Sequence, residues 1–204
     1  MRASPAAVII LIRHGQTTSN AARLLVGQSD PALTELGERQ ARALRPYLLN
    51  VQEVWTSPLQ RARATAALAL PDMAANVKES FIEVDYGSLD GQPLSLLSEE
   101  QWRAFEHDHD RAFGDGESLA SVDQRVHVTL DALLADQTSL MHSATSHLAI
   151  ISHMSPIKSA MTWALGVSGS VAWRMNLSNG SMTTIGSRMW TPSLLNYNVV
   201  PPLE

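Results

Sequence analysis

The sequence contains no cysteine. Disulfide bonds, a thiolate nucleophile and metal sites with thiolate ligands are therefore excluded, and the chain is compatible with a reducing compartment. Aromatic residues are also scarce, at 5% of 204 residues, yet hydrophobic residues together reach 45%. A chain of this length and composition can bury a substantial core without covalent cross-links.

Charge is also in short supply. Charged residues make up 17% of the chain, and the formal net charge is -5. Proteins that bind nucleic acid normally carry a basic surface, so this balance argues against a nucleic-acid partner. Attraction of an anionic ligand would have to come from a few arginines in a cleft.

Long hydrophobic runs and internal repeats are absent as well. The apolar run near the start of the chain ends at Ile12 and is too short, and wrongly flanked, for a membrane span or a signal peptide. We see no low-complexity tract and no linker. We therefore expect one domain over residues 1–204, in the cytoplasm and without membrane association.

What the sequence does contain is an apolar run, Val8–Ile12, that stops at Arg13 and His14. This pattern predicts a buried strand that presents two polar side chains at its C-terminal end. A guanidinium group matches phosphoryl oxygens and an imidazole nitrogen can attack phosphorus, so the pair suits phosphate chemistry. Gln16 and Asn20 follow as neutral donors that either bind phosphate or hold the loop.

Two further predicted strands are followed by polar residues. Residues 51–56 lead into Ser57-Pro58, interpreted as the N-cap and first residue of a helix over 59–70 that carries Arg61 in its first turn. Residues 147–152 end at His153. Helical segments between strands imply right-handed crossovers and a mainly parallel sheet. The strand ends would then meet at one sheet edge, where ligands bind in α/β folds.

The remaining patterns complete the expected fold. Asn179-Gly180 predicts a hairpin between strands at 173–177 and 181–185. Further helices are predicted from Thr34 as N-cap to about 49, over 94–110, from Ser118 as N-cap to 134, and over 157–165. The fold class is α/β, a three-layer α/β/α sandwich with a mainly parallel central sheet.

Several motifs occur in a fixed order from residue 8 to about residue 185. They are Leu11-Ile12-Arg13-His14-Gly15-Gln16-Thr17 with Asn20, Ser57-Pro58-Leu59-Gln60-Arg61-Ala62 with Thr65, Glu83 with Tyr86-Gly87 and Asp90-Gly91, Gly116-Glu117-Ser118, and Ser152-His153. In these motifs the chain resembles the phosphatase branch of the histidine phosphatase superfamily, which has the phosphoglycerate-mutase-like fold. The resemblance implies a single domain with a small cap-like insertion around residues 84–116, and no metal or other cofactor.

The resemblance also implies roles for individual residues. His14 would be the nucleophile and form a phosphohistidine intermediate. Glu83 would be the general acid that protonates the leaving oxygen and then, as a carboxylate, activates water. Arg13, Arg61 and His153, the last protonated or donating, would stabilise the transition state. The phosphate-binding residues would be Arg13, Gln16, Asn20, Arg61 and His153.

Some assignments have rivals within the sequence. Asp85 lies two residues from Glu83 and is the main alternative general acid, and Asp90 is a weaker one. Arg23 and Arg63 are expected to be solvated or salt-bridged rather than catalytic.

Other residues stand outside the expected site or depart from the family pattern. Two histidines in His107-Asp108-His109-Asp110 are two residues apart and do not share a helical face, so we expect a solvated surface there rather than a metal site. His127, His142 and His147 have no companions in the motifs. Met154 stands where the family commonly has a small residue, and it would narrow the pocket or contact substrate.

The resemblance implies a metal-independent phosphomonoesterase acting on a small phosphorylated metabolite. The first alternative is a phosphoglycerate-mutase-type phosphotransferase, whose relatives share a basic cluster where this chain has only Arg103 and Arg111. The second is a catalytically silent phosphate-binding module, which would be expected to lack His14 or Glu83. The sequence leaves the substrate open, and it also leaves formation of a homodimer open.

Overall fold

A computed structural model describes residues 7–112, 114–136, 146–188 and 191–203 of the chain. Its centre is a sheet of six strands: β1 (Ala7–Arg13), β2 (Val51–Thr56), β3 (Asn76–Val77), β4 (Ser146–Ser152), β5 (Met182–Arg188) and β6 (Thr191–Val199). They lie in the order β3-β2-β4-β1-β5-β6. The α-helices are α1 (Thr18–Ala21), α2 (Glu35–Ala43), α3 (Gln60–Ala69), α4 (Glu99–His107), α5 (Leu119–Ala135) and α6 (Met154–Leu165).

The sheet is mainly parallel, as predicted. Strand β4 pairs in parallel with both β1 and β2, and β2 pairs in parallel with β3. Strand β5 runs antiparallel to β1, and β6 runs antiparallel to β5. The C-terminal ends of β1, β2 and β4 therefore meet at one edge of the sheet.

Helices cover both faces of the sheet because side chains along a strand alternate between faces. Ile10 and Ile12 of β1 belong to a buried apolar cluster that also contains residues of α3. Ile9 and Leu11 belong to a second cluster, shared with residues of α5 and α6. The result is the expected three-layer α/β/α arrangement.

The predicted hairpin at Asn179-Gly180 is wrong. Residues 169–174 form a 3-10 helix, and the observed hairpin joins β5 to β6. Gly180 has a φ of 68°, and its N–H lies 3.1 Å from the carbonyl oxygens of both Arg13 and His14. The turn therefore brings the chain to the end of β1 before β5 pairs with it.

Three predicted helix starts are also wrong. Helix α4 begins at Glu99 rather than at 94, since Ser98 accepts a hydrogen bond from Gln101 N and caps the helix. Helix α6 begins at Met154, three residues before the predicted start. Helix α3 begins at Gln60, one residue after the predicted start; the Ser57 hydroxyl accepts from Leu59 N at 3.3 Å, and the first N–H groups of the helix donate to Asp30.

The N-caps predicted at Thr34 and Ser118 are confirmed by hydrogen bonds from Gly37 N and Ser121 N. Predictions for Met1–Pro5 and His142 lie outside the described residues. In the described part of the chain, no helix combines the length and apolar character that a membrane crossing requires.

Candidate active site

The ends of β1, β2 and β4 bring four basic side chains together. The ring centroids of His14 and His153 are 5.1 Å apart. Arg61 lies between them, with its Nε 3.3 Å from His14 Nε2 and 3.2 Å from His153 Nδ1. Arg13 precedes His14 and contributes to lowering the pKa of both rings. The predicted convergence of these residues is thus present in the fold.

His14 is held in a defined orientation. Its Nδ1 lies 2.7 Å from the carbonyl oxygen of Gly15, which can only accept, so Nδ1 carries the hydrogen in the neutral ring. Burial lowers the pKa of His14 well below its usual value, and the charges of Arg61 and Arg13 lower it further. The ring is therefore neutral, with the Nε2 lone pair directed toward the guanidinium of Arg61.

His153 is also neutral, rather than protonated. Burial lowers its pKa well below the usual value, and the neighbouring Arg61 and His14 add to the shift. Its Nε2 lies 2.7 Å from the hydroxyl of Ser57. Its Nδ1 accepts from Arg61 Nε, which can only donate, so the hydrogen of the neutral ring is on Nε2, and Nε2 donates to the Ser57 hydroxyl.

Arg61 is fully buried, whereas Arg63 is exposed, as their spacing on the helix predicts. Arg61 Nη1 donates to the carbonyl oxygen of Ser29 at 2.6 Å, and Nη2 donates to that of Gly27 at 2.7 Å. The Asp30 carboxylate lies 3.7 Å from Nη1. Burial lowers the pKa of Arg61 while acidic neighbours oppose the shift. These contacts fix the guanidinium against the two imidazole rings.

The loop that binds Arg61 is itself held by Asp90. Its carboxylate accepts from Gly27 N at 2.9 Å and from Ser29 N at 2.6 Å. Burial alone would raise the pKa of Asp90, but these N–H groups and the Ser29 hydroxyl outweigh it and lower the pKa. A side chain distant in sequence therefore positions Arg61 through the backbone of residues 27–29.

One N–H group of the Arg13 guanidinium has no hydrogen-bond partner among the described groups. Its Nη1 donates to the carbonyl oxygen of Leu177, but its Nε is buried and has no hydrogen-bond partner among the described groups. Burial lowers the pKa of Arg13, and the negative charge of Glu83 opposes this shift. An unpaired buried N–H is costly, and an anion bound at the end of β1 could accept from it.

Glu83 is buried and is oriented by the start of α6. Its Oε1 accepts from Val84 N at 2.9 Å and from Ser155 N at 3.1 Å, and its Oε2 accepts from Met154 N at 3.1 Å. These bonds to the first turn of α6 explain why that helix begins without a hydroxyl cap. The carboxylate is therefore held on rigid backbone.

Glu83 and its two rivals are differently placed. Glu83 lines the same cavity as His14, which Asp85 and Asp90 do not line. The Asp85 carboxylate accepts from Gly87 N at 2.8 Å, and that of Asp90 binds the loop described above. Of the three carboxylates, the geometry favours Glu83 for proton transfer.

The cavity has a volume of about 310 Å³. Arg13, His14 and Glu83 form part of its lining, and an apolar wall surrounds them. That wall comprises Leu24, Leu94, Trp102, Met154 and Trp173. Met154 thus reaches the pocket, as its position after His153 suggested. Arg23, expected to be solvated or salt-bridged, also lines the cavity.

The two neutral donors of the first motif are placed differently. Asn20 lines the cavity, and its Oδ1 accepts from Thr17 N and from Asn179 Nδ2. Gln16 does not line it, and its Oε1 accepts from the Thr34 hydroxyl at 3.0 Å. The structure therefore brings Asn20 to the site and leaves Gln16 holding the loop before α2.

Asn179 is a site residue that the sequence reasoning missed. Its Nδ2 lies 3.2 Å from the His14 carbonyl oxygen and 3.2 Å from Asn20 Oδ1. The Asn-Gly dipeptide was interpreted as a hairpin signal, which hid this contact. Ser57, Asp30 and Asp90 were likewise assigned other roles or none.

His107, Asp108 and Asp110 are exposed, as expected for a solvated surface, whereas His109 is only partly exposed. Its Nε2 lies 2.7 Å from Asp123 Oδ2, and its Nδ1 is buried. His127 Nε2 is 3.9 Å from the other oxygen of Asp123. Within the described ranges, no group of three or more histidine, cysteine, aspartate or glutamate side chains is arranged to hold a metal ion.

Comparison with known sequences agrees with this geometry. A model of the histidine phosphatase superfamily, branch 1, matches residues 9–200. The chain is 32% identical over 185 residues to the probable phosphoglycerate mutase GpmB of Cronobacter sakazakii, with 87% of this chain and 83% of that protein covered. It is 34% identical over 185 residues to the protein of the same name from Erwinia tasmaniensis, with the same coverage of 87% and 83%.

Solved structures show the same fold. A phosphoserine phosphatase mutant from Entamoeba histolytica in complex with phosphoserine superimposes with a TM-score of 0.82 at 25% identity, covering 94% of this chain and 96% of that one. The α-ribazole phosphatase of Shigella flexneri gives 0.80 at 26% identity, with 94% and 96% covered. Members of this family are phosphatases or mutases, which supports an enzymatic role. On its motifs, its site and these similarities, the chain belongs to the histidine phosphatase superfamily, branch 1.

Proposed function

We propose that the protein is a metal-independent phosphomonoesterase that hydrolyses a small phosphorylated metabolite through a phosphohistidine on His14. One observation carries this proposal: a neutral, oriented imidazole whose Nε2 lies 3.3 Å from the buried guanidinium of Arg61. A nucleophile needs an unprotonated nitrogen, and the transferred phosphoryl group needs positive charge around it. This site supplies both within a few ångströms.

The first half-reaction forms the phosphoenzyme. The Nε2 lone pair of His14 attacks phosphorus, a new N–P bond forms, and the P–O bond to the leaving group breaks. Glu83, in its carboxylic acid form, gives its proton to the leaving oxygen. Arg61 and Arg13 stabilise the charge on the equatorial oxygens, and His153 holds the Arg61 guanidinium through its Nδ1.

The second half-reaction releases phosphate. The Glu83 carboxylate takes a proton from water, whose oxygen attacks phosphorus while the N–P bond to His14 breaks. Inorganic phosphate leaves, and both residues return to their starting forms. Because the carboxylate is fixed by three backbone N–H groups, the same oxygen can serve in both steps without rearrangement of the backbone.

The positions of Arg103 and Arg111 favour hydrolysis over mutase activity. A mutase must hold a second anionic group while the enzyme carries the phosphoryl group. Arg103 pairs with Glu99 on the surface, and Arg111 lies at a different cavity, beside Gln101. The similar solved structures include a phosphoserine phosphatase and an α-ribazole phosphatase, whereas the curated relatives carry the mutase name.

The experiment measures hydrolysis of p-nitrophenyl phosphate in the presence of EDTA, with His14→Ala as the control. We expect turnover by the natural protein that EDTA does not diminish, and loss of about 1,000-fold or more in the variant, since the nucleophile is removed. Activity no higher than that of the variant would indicate a silent phosphate-binding module. Interconversion of phosphoglycerate isomers without phosphate release would indicate a mutase.

A further inference from the structure

Arg23 occupies a backbone position that normally suits glycine. Helix α1 ends in a Schellman motif, in which Arg23 N donates to Asn20 O at 3.1 Å and Leu24 N donates to Ser19 O at 3.0 Å. The residue after the C-cap of such a motif is left-handed, and Arg23 has a φ of 56°. A side chain with a Cβ is strained there, so an arginine at this position requires a compensating reason.

Neighbouring backbone prevents Arg23 from relaxing. Its carbonyl oxygen accepts from Leu94 N at 3.0 Å, and Leu25 N donates to Gln92 O at 2.8 Å. Leu24 forms an isolated antiparallel bridge with Pro93. The left-handed conformation is therefore held from both sides, and the Arg23 side chain starts from a fixed point on the cavity rim.

The surroundings of Arg23 offer it no counter-ion. Within the described ranges, no carboxylate lies within ion-pair distance of its guanidinium. Arg23 is exposed, and it shares the cavity lining with apolar side chains, among them Leu24 and Trp102, and with the polar Asn20 and Glu83. The same cavity contains His14. An exposed cation at the rim of this cavity, without an ion-pair partner among the described residues, is suited to binding an anion on the substrate.

We propose that Arg23 determines specificity by binding a carboxylate on the leaving group of the substrate, an assignment that rests on the function proposed above. The phosphoryl group would lie against His14 and Arg61, and the body of the leaving alcohol would pack on Trp102 and its apolar neighbours. The carboxylate would accept two N–H groups from the Arg23 fork.

The charge at the rim favours a carboxylate over a second phosphate. A phosphate dianion calls for more than one cation, as the pairing of Arg13 and Arg61 at the reaction centre illustrates. Arg23 and Arg13 are the arginines in the described lining of this cavity, whereas Arg61 lies behind His14 outside that lining. One guanidinium matches the single charge and the two oxygens of a carboxylate.

The experiment compares two substrates that differ in charge at a single position, 4-carboxyphenyl phosphate and 4-carbamoylphenyl phosphate. The ratio of their kcat/KM values is measured for the natural protein, for Arg23→Gln and for Arg23→Lys. Because the ratio is compared between proteins, the intrinsic reactivity of the two leaving groups cancels. We expect Arg23→Gln to lower the ratio by about 10-fold, the loss typical of one charge-assisted hydrogen bond, and Arg23→Lys to restore part of it.

Two further variants keep the outcome interpretable. Arg23→Gly relieves the left-handed strain, so we expect it to fold with an unchanged or higher Tm and still lower the ratio. Arg63→Gln removes an exposed arginine from α3, and we expect it to leave the ratio unchanged. A ratio that stays constant in folded Arg23→Gln and Arg23→Gly overturns the assignment, even if both substrates are turned over. Failure of the natural protein to hydrolyse either substrate would instead overturn the proposed phosphatase function, and this assignment with it.

Discussion

A histidine that attacks phosphorus must have an unprotonated ring nitrogen, and two features of this site favour that state. Burial and two arginines lower the pKa of His14, and the Gly15 carbonyl fixes the hydrogen on Nδ1. The same causes act on His153, whose pKa is also lowered. In the proposed reaction, the positive charge around the phosphoryl group is therefore supplied by the arginines rather than by the imidazoles.

This difference can be measured by NMR of the ring nitrogens of histidine. We expect His14 and His153 to remain neutral at pH values well below 6.5, the ordinary pKa of imidazole. The signals are assigned with the single variants His14→Ala and His153→Ala. Titration of either ring at or above the ordinary value would contradict the electrostatic description of the site.

Glu83 has two roles in the proposed reaction, and a glutamine replacement separates them. We expect Glu83→Gln to lower kcat by about 100- to 10,000-fold for alkyl phosphates, the range typical of general acid–base catalysis. p-Nitrophenol leaves without protonation, so the first step with p-nitrophenyl phosphate is less affected. Stopped-flow absorbance should then show a burst of nitrophenol followed by slow turnover.

The matched control for Glu83 is Asp85→Asn. Asp85 binds Gly87 N and does not line the cavity, so we expect its kcat to stay within about twofold of the natural value, as for most substitutions outside a site. A large loss in Asp85→Asn together with a small one in Glu83→Gln would reverse the assignment of the general acid.

At the scale of elements, the loop 27–29 holds the Arg61 guanidinium in place, and the Asp90 carboxylate holds the loop. The carbonyl oxygens of Gly27 and Ser29 accept from the guanidinium, while their N–H groups donate to Asp90. The backbone carbonyl and N–H groups of Gly27 and Ser29 are thus all hydrogen-bonded, the carbonyls to Arg61 and the N–H groups to Asp90. Loss of the negative charge of Asp90 should make the loop, and with it the Arg61 guanidinium, less well fixed, while Arg61 itself is still present.

We therefore expect Asp90→Asn to weaken inhibition by inorganic phosphate and to lower kcat/KM by roughly 10-fold, about the value of one charge-assisted hydrogen bond. Asp115→Asn is the control, because Asp115 binds Ser88 N in the same part of the chain and does not contact the loop. Inhibition constants and Tm are measured for both variants. Equal phosphate affinity in the two would rule out positioning through Asp90.

Strand ends could be predicted from the sequence because each is a local pattern, an apolar run followed by a polar residue. Arg13, His14, Arg61 and His153 were found in this way, and the family motifs added Glu83. Long-range contacts leave no such pattern. Nothing local to Asn179 indicates that its amide reaches His14, and Arg23 looks like any surface arginine until the turn after α1 is known.

The predicted helix starts were wrong for the same reason, since the capping contacts are long-range. Ser57 has the local chemistry of an N-cap and accepts from Leu59 N, but its hydroxyl also binds His153, and the first N–H groups of α3 donate to Asp30. Helix α6 needs no hydroxyl cap, because Glu83 accepts from its first N–H groups. At both helix starts, a residue distant in sequence accepts the first N–H groups in place of a neighbouring hydroxyl cap.

At the scale of the whole molecule, the site places two neutral histidines in a buried environment. Unfolding exposes both rings, whose pKa values then return toward the ordinary value. Below that value the unfolded chain binds more protons than the folded one, so the free energy of unfolding falls as pH falls. Asp90, whose pKa is lowered, adds a second loss at lower pH, as its carboxylate becomes protonated.

We expect the free energy of unfolding to decrease by up to about 2 kcal/mol between pH 6.5 and 5.5, from the two histidines together. Urea titrations at these pH values measure it. The double variant His14→Ala/His153→Ala should lose most of this dependence. A free energy of unfolding that is constant across this interval would show that the rings are not held neutral by the fold.

The proposed mechanism depends most on the attack of His14 Nε2 on phosphorus, and one measurement tests this step directly. Glu83→Gln enzyme is mixed with p-nitrophenyl phosphate and quenched in alkali, which preserves phosphohistidine, and its peptides are analysed by mass spectrometry. We predict a phosphoryl group on the peptide that contains His14, and its absence in Glu83→Gln/His14→Ala. A burst of nitrophenol without a phosphorylated peptide, or with the phosphoryl group on His153, would contradict the account.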